Sequence, residues 1–279
     1  MTSDYPSPAL PNLRGVIFDI DGVLTFQGQV YPGAVQVIER LKENGLRLRF
    51  LTNSTLKSRA SCAAKLIRAG FQVEEQEVIT ASYATAVYLR GLKPRSCWVM
   101  VEREGIDEFR DFVQDTENPE VIVIGDNRSQ FDFDHLNKAL RLLKKGARLV
   151  AMQYELLDTS MGDLELNVGS WVRLLEQASG VQAVSIGKPS AFAFELALGS
   201  MGLERHQVVV VGDRISTDVA GAQAFGLRSV LVKSGEYDER DLQEEIRPDY
   251  VIDSIQDLPS LFRRSEIGRY GEQDKESQG

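Results

Sequence analysis

The stretch GVIFDIDGVLT, Gly15 to Thr25, decides the fold. Gly15–Phe18 reads as a short strand with no polar side chain on either face, and it ends abruptly at Asp19. Strands of that kind belong to parallel sheets covered on both sides. Asp19 and Asp21 are two residues apart, so in extended backbone they face the same way. Gly22 then permits a sharp turn. Two carboxylates this close repel one another unless a cation or a shared proton lies between them. The bland alternative is a turn in which an Asp side chain bonds its own backbone.

Outward from this stretch, short apolar runs alternate with amphipathic helical stretches, the pattern of parallel βαβ units. A helix is expected from Gly33 to Glu43. A strand over Leu46–Leu51 ends at Thr52, a helix over Lys57–Ala69 stops at Gly70, and Glu77–Thr80 forms a further strand. Arg47 and Arg49 share one strand face, which is unusual for a strand buried on both sides. It would suit a place where the helical cover is thin. A second series has strands at Trp98–Val101, Val121–Ile124 and Arg148–Met152, and helices at Ile106–Val113, His135–Lys145 and Val172–Ala178. A third runs Val184–Ile186, helix Ala191–Met201, Val208–Val211, helix Asp218–Phe225, Ser229–Val232 and Tyr250–Ile252. The fold class is α/β, with a Rossmann-like parallel sheet.

Three further fragments carry chemistry, each where a strand ends. In open α/β sheets that is where ligands bind. In LTNST, Leu51 to Thr55, the Thr52 hydroxyl, the Asn53 amide and the following helix N–H groups suit a phosphate oxygen, although Thr and Asn are also ordinary helix caps. In IGKPS, Ile186 to Ser190, Lys188 follows a short strand and could neutralise a phosphate, or simply be a solvated lysine. In VVVVGDRISTDVAGA, Val208 to Ala222, a buried strand runs into Asp213. Carboxylates at such a position suit a hard cation such as Mg²⁺. Asp218 follows at the start of a helix, where it could equally be a cap.

The four fragments together resemble the haloacid dehalogenase (HAD) superfamily, whose order is D-x-D-G, then Thr or Ser, then Lys, then G-D-x4-D. The resemblance covers nearly all of the chain except its ends. It implies a HAD core over residues 1–80 and 185–263, interrupted at 81–184 by an inserted α/β cap like that of the NagD-type subclass IIA. A polar tail over 264–279 has little to bury and is expected to be disordered. The stretches TNSTLKSRA, AGFQVEEQEVIT, NVGSWVRLLEQASG and GKPSAFAFELAL point to the branch that hydrolyses phosphoamines and pyrophosphate.

The reaction that follows is phosphate ester, phosphoamine or anhydride hydrolysis, with the phosphoryl group expected between Asp19 and Lys188. Asp19 is the nucleophile and forms an aspartyl-phosphate. Asp21 protonates the leaving atom and then accepts a proton from water. Thr52, Asn53 and Lys188 hold the phosphoryl oxygens. The resemblance assigns Mg²⁺ to the Asp19 and Asp213 carboxylates and the Asp21 backbone carbonyl, with Asp218 ordering its waters. Specificity falls to the cap, where Asp126, Arg128 and Tyr154 at strand ends are the candidates. The alternatives are a NagD-type nucleotidase, a pyridoxal phosphatase or a general aryl or sugar phosphatase. Less favoured are a phosphotransferase and a non-catalytic phosphate binder, which has no use for an acid at position 21.

Composition narrows the partners. The chain has 279 residues, 43% of them hydrophobic, and a formal net charge of -9. An acidic surface disfavours nucleic acid and anionic membrane, which leaves a small phosphorylated substrate. The family adds the expectation of a homodimer through the cap. His135 and His206 are the only histidines, which argues against zinc or two-metal hydrolases. Cys62 and Cys97 are too few for a disulfide framework. MTSDYPSPALPNLRG lacks the apolar run of a signal peptide, and no run reaches the ~20 apolar residues of a membrane span, so a cytoplasmic location is expected.

Overall fold

The computed structural model describes residues 10, 12–158, 163–240 and 245–262. The tail expected from residue 264 lies outside them. Along the chain run β1 (Gly15–Phe18), the hairpin strands β2 (Thr25–Phe26) and β3 (Gln29–Val30), α1 (Ala34–Glu43), β4 (Arg47–Thr52), α2 (Arg59–Arg68), β5 (Val78–Thr80) and α3 (Ala81–Leu92). Next come β6 (Cys97–Met100), β7 (Val121–Ile124), α4 (Phe133–Lys144), β8 (Arg148–Ala151), β9 (Leu157–Asp158), β10 (Glu165–Leu166), α5 (Val168–Ser179) and β11 (Ala183–Ser185). The chain then continues through α6 (Ala191–Met201), β12 (Val208–Gly212), α7 (Ala220–Phe225), β13 (Arg228–Val232) and β14 (Tyr250–Ile252). Cα packing divides the chain into two compact units. One comprises Met1–Leu51, Lys65–Val78 and Phe194–Gly279; the other comprises Thr52–Ala64 and Ile79–Ala193.

The first unit is organised by a six-stranded sheet in the order β14-β13-β12-β1-β4-β5. β1 pairs in parallel with β12 on one side and β4 on the other. From β1 the chain builds outward in one direction through β4 and β5, and later in the other through β12, β13 and β14. The boundary between β1 and β12 is therefore a topological switch point, where a crevice opens beyond the carboxyl ends. Val16, Ile17, Phe18 and Val208–Val211 are all buried, each such side chain contributing roughly 1.5–3 kcal/mol. Phe18 stacks on Phe50 with ring centroids 6.1 Å apart. α1 buries Ala34, Val37, Ile38 and Leu41, the i, i+3, i+4, i+7 stripe of an amphipathic helix.

Arg47 and Arg49 have a more specific use than a thin cover. Arg47 donates to the Met201 carbonyl, and Arg49 donates to the Ser200 carbonyl and hydroxyl. The two arginines thus satisfy carbonyls in the last turn of α6, which have no partner within the helix, and place positive charge at its negative end.

The second unit has a parallel four-stranded sheet in the order β11-β8-β7-β6. Trp98, Ile122, Ile124 and Leu149 of this sheet pack with Leu142, Leu143, Val172 and Leu175 of α4 and α5. Asp132 caps α4 by accepting from the His135 N–H at 2.8 Å. Both cysteines are buried.

Three expectations are corrected. Residues 81–92, read as no element, form α3, whose Ala, Ser and Thr are buried without a bulky apolar stripe. The helix expected over Ile106–Val113 is a 3-10 turn over Arg103–Phe109. It is pinned at Gly105, whose N–H donates to the Leu56 carbonyl at 3.0 Å. The helix expected from Asp218 is preceded by a π turn over Ile215–Val219, and α7 begins only at Ala220.

Candidate active site

In the first unit, Asp19 and Asp213 leave the carboxyl ends of two neighbouring strands. The pairing of Phe18 with Val211 sets them side by side. Asp19 is held by its own N–H to the Val211 carbonyl at 2.8 Å, and its Oδ1 accepts from the Ile20 N–H at 2.7 Å. Asp218 is carried back toward the strand ends by the π turn. Its Oδ2 accepts from the Arg214 N–H at 3.3 Å. Single-turn π bulges recur at functional sites. One carboxylate oxygen from each of Asp19, Asp213 and Asp218 lies within 4.8 Å of the others, and all three residues are buried. Three buried carboxylates so close are mutually repulsive without a cation.

The backbone leaves little space around this cluster. A Cβ at Gly22, where φ is +95°, would lie 2.1 Å from Asp213 Oδ2, and one at Gly235, where φ is +58°, would lie 2.2 Å from the same atom. A Cβ at Gly212 would lie 2.2 Å from the Asp218 Cβ. The Glu236 N–H donates to Asp213 Oδ2 at 2.8 Å. The Ser234 hydroxyl donates to the Gly22 carbonyl at 2.7 Å, and the Gly235 N–H donates to the Tyr31 hydroxyl at 2.8 Å. Ser234, Gly235 and Tyr31 are supports that sequence reading missed. The glycine-bearing SGEY stretch after β13 was the available signal for Ser234 and Gly235. An all-oxygen donor set at strand ends, in a cradle that a methyl group would fill, fits a hard divalent cation.

Asp21 differs from its neighbours in being exposed. Its Oδ1 accepts from the Thr25 hydroxyl at 3.2 Å and pairs with Lys65 Nζ at 3.4 Å. The spacing that set Asp19 and Asp21 on one face does not bring Asp21 into the three-carboxylate group.

The second unit gathers the other sequence-predicted residues. Thr52 is buried, and its hydroxyl accepts from the Ser54 N–H at 3.1 Å. Neither Thr52 nor Asn53 caps α2. The Ser58 hydroxyl does that by accepting from the Ser61 N–H at 3.1 Å. The loop between is clamped by three contacts. The Ser82 hydroxyl donates to the Thr55 carbonyl at 2.6 Å, the Asp126 N–H donates to the Thr55 hydroxyl at 2.9 Å, and Gly105 approaches so closely that a Cβ would lie 1.9 Å from the Thr55 oxygen. Lys188 is buried at 2% exposure, so it is not the solvated lysine that its sequence context also allowed. Its backbone is joined to the Asn53 side chain at 2.8 and 2.9 Å.

The three specificity candidates have other engagements. Arg128 pairs with Glu165. Tyr154 donates to Glu176, and burial followed by that contact pushes its hydroxyl up to about 12. Asp126 is half-buried, and burial raises its pKa against the lowering effect of Arg128. Trp171 stacks on Phe131 at 4.9 Å beside the second unit's core, which is a packing role.

Family comparison agrees with this geometry. The haloacid dehalogenase-like hydrolase model matches residues 16–127, and a second HAD-hydrolase-like model matches residues 185–258. The chain belongs to the haloacid dehalogenase-like hydrolases. Phospholysine phosphohistidine inorganic pyrophosphate phosphatase of Bos taurus is 34% identical, over 91% of this chain and 95% of that protein. Among solved structures, p-nitrophenyl phosphatase from Archaeoglobus fulgidus is 31% identical with a TM-score of 0.85, over 90% of this chain and 99% of that one. NagD from E. coli K-12 is 29% identical with a TM-score of 0.81, over 88% and 98%. Within the family, these relatives set the chain among the NagD-like phosphatases. No helix among the described residues is long and apolar enough to cross a membrane.

Proposed function

We propose that the chain is a Mg²⁺-dependent phosphatase acting on small phosphorylated compounds, with phosphoamines or pyrophosphate among its preferred substrates. The observation that carries the reading is the buried Asp19, Asp213 and Asp218 group at the switch point of the sheet. The preference for phosphoamine or pyrophosphate rests on the relatives and on the sequence stretches shared with that branch.

Asp19 is the nucleophile. Its N–H donates to the Val211 carbonyl and its Oδ1 accepts from the Ile20 N–H, which orients the carboxylate that attacks phosphorus and forms an aspartyl-phosphate. Asp21, which is exposed, protonates the leaving oxygen or nitrogen and later takes a proton from the attacking water. Lys188 offsets the negative charge of the phosphoryl group, and the Thr52 hydroxyl donates to one of its oxygens. The Asp19 and Asp213 carboxylates and the Asp21 carbonyl would hold the cation, with Asp218 orienting its waters. When bound, the cation supplies charge neutralisation between the anionic substrate and the attacking carboxylate. Residues 81–184, the inserted part, serve as the cap that selects the leaving group. A homodimer formed through that cap is the accompanying expectation, read by sedimentation.

The test is phosphate release from pyrophosphate, imidodiphosphate, phospholysine, p-nitrophenyl phosphate and a nucleoside monophosphate, for wild type and Asp19→Asn. Wild type should release phosphate and give an acid-stable trapped phosphoenzyme. Asp19→Asn should do neither while melting at the same temperature. Variant activity within about tenfold of wild type, a barrier change of only ~1.4 kcal/mol, removes Asp19 as nucleophile. A nucleoside monophosphate preferred by more than about a hundredfold in kcat/KM, roughly 2.7 kcal/mol, replaces the substrate class and leaves the phosphatase reading standing.

A further inference from the structure

Sequence reading gave Asn53 the task of holding a phosphoryl oxygen, yet its side chain is fully committed elsewhere. A primary amide has one carbonyl oxygen and two N–H donors. Oδ1 accepts from the Lys188 N–H at 2.8 Å. Nδ2 donates to the Lys188 carbonyl at 2.9 Å and to Glu155 Oε2 at 3.4 Å. Both donors and the acceptor are thus used within the second unit, two of the three on a single residue.

The arrangement is the reciprocal pair by which one strand residue grips another across a ladder, made here by a side chain. Such a pair fixes both the position and the orientation of the peptide it holds. Gly187 makes it possible, because a Cβ there would lie 2.6 Å from Asn53 Oδ1 and 2.7 Å from the Met152 carbonyl. The Gly187 N–H donates to that same carbonyl at 2.8 Å. The segment carrying Lys188 is therefore clamped on one side by β8's exit and on the other by Asn53. A buried lysine has a long, flexible stem, so the placement of its ammonium depends on how firmly its backbone is anchored.

We propose that Asn53 is a positioning residue that acts through Lys188: it fixes the Lys188 backbone so that the ammonium meets the phosphoryl group, and it donates no hydrogen bond to that group itself. This rests on the role given to Lys188 in the proposed reaction. The two alternatives for Asn53 differ in coupling. A residue acting only through Lys188 has nothing left to contribute once Lys188 is gone, whereas a direct phosphate ligand loses its share in either background.

The experiment is a double-mutant cycle on Asn53→Ala and Lys188→Met, read as the affinity for inorganic phosphate with Mg²⁺ present by titration calorimetry and as kcat/KM for p-nitrophenyl phosphate. Thermal melts establish that each variant is folded. Asn53→Ala should weaken phosphate binding about tenfold in the wild-type background and less than about twofold in the Lys188→Met background. Equal losses in both backgrounds overturn the proposal. Where Lys188→Met binds too weakly to measure, amide exchange at Lys188 decides. Saturating inorganic phosphate should leave that N–H protected in the wild type, and Asn53→Ala should expose it. Exchange accelerated by phosphate in the wild type means that the ligand has drawn Asn53 off the Lys188 N–H, and the proposal fails. A Lys188→Met variant that binds and turns over like wild type removes the proposed role of Lys188 itself, which separates that failure from this one.

Discussion

Asp19, Asp213 and Asp218 owe their usefulness to the residues that have no side chain beside them. Gly22 and Gly235 both face Asp213 Oδ2 with less than 3 Å to spare for a Cβ. Gly235 is also held in left-handed backbone, where an added Cβ costs of order 1–3 kcal/mol. The Cβ of Gly235→Ala would also lie 2.4 Å from the Gly22 Cα, so the substitution should displace both Asp213 and the Gly22 turn. The expected result is a Mg²⁺ concentration for half-maximal activity raised at least about tenfold, together with a lower melting temperature. A variant that melts lower but keeps its Mg²⁺ dependence would mean that the cradle is packing alone. At this scale the D-x-D-G and G-D-x4-D residues could be read from the chain, because each combines a charged type with a strand end. The exposed setting of Asp21 could not, since two-residue spacing fixes a face only while the backbone stays extended, and β1 ends at Phe18 with a bend at Ile20. Nor could the commitment of Asn53 to Lys188, 135 residues away.

Among the elements, buried apolar strands were readable almost to the residue: Gly15–Phe18 and Val121–Ile124 coincide with β1 and β7. α3 was not, because its buried residues are Ala81, Ser82, Ala84, Thr85 and Ala86 with Leu89 as the one bulky apolar side chain, which gives no 3.6-residue apolar stripe. Its start depends on one side chain. Thr80, fully buried, accepts from the Tyr83 N–H at 3.1 Å. Thr80→Val keeps the shape and deletes the acceptor, leaving the partly buried Tyr83 N–H without its cap at a cost of about 1–2 kcal/mol. The expected readout is a lower urea midpoint with an unchanged slope. The exit of β7 offers a pH test. Burial raises the Asp126 carboxyl above its ordinary 3.8. The folded state then holds that proton more tightly than the unfolded one, so the associated stability is full below 3.8 and is lost as pH rises through the folded value. Asp126→Asn has no proton to lose. Its stability relative to wild type should rise from acid to neutral pH, and a difference that stays flat over that range would show that Asp126 is not penalised by its burial.

For the whole molecule, acidity sets the problem. A chain of net charge -9 repels an anionic substrate, and three of its carboxylates are buried side by side at the carboxyl ends of the central strands. A divalent cation relieves both effects, offsetting the cluster's own repulsion and the charge of an incoming phosphate. The requirement for metal should therefore be absolute, and it should also appear in stability without any turnover. Adding Mg²⁺ to metal-stripped protein should raise the melting temperature, by about 2.7 kcal/mol of stabilisation at a hundredfold excess over Kd. Asp213→Asn should abolish that rise. The donor set predicts the ranking of ions. The proposed ligands are carboxylate, carbonyl and water, and the three clustered residues are all Asp, with neither histidine among them, so Mg²⁺ should be favoured over Zn²⁺. Ca²⁺ suits the same oxygens but accepts more of them in a looser shell. It should stabilise the fold as Mg²⁺ does yet inhibit turnover, because a carboxylate gripped by both oxygens has none left to attack phosphorus. Full activity in EDTA, or Ca²⁺ supporting turnover as well as Mg²⁺, would break the link between the carboxylate cluster and the chemistry assigned to Asp19.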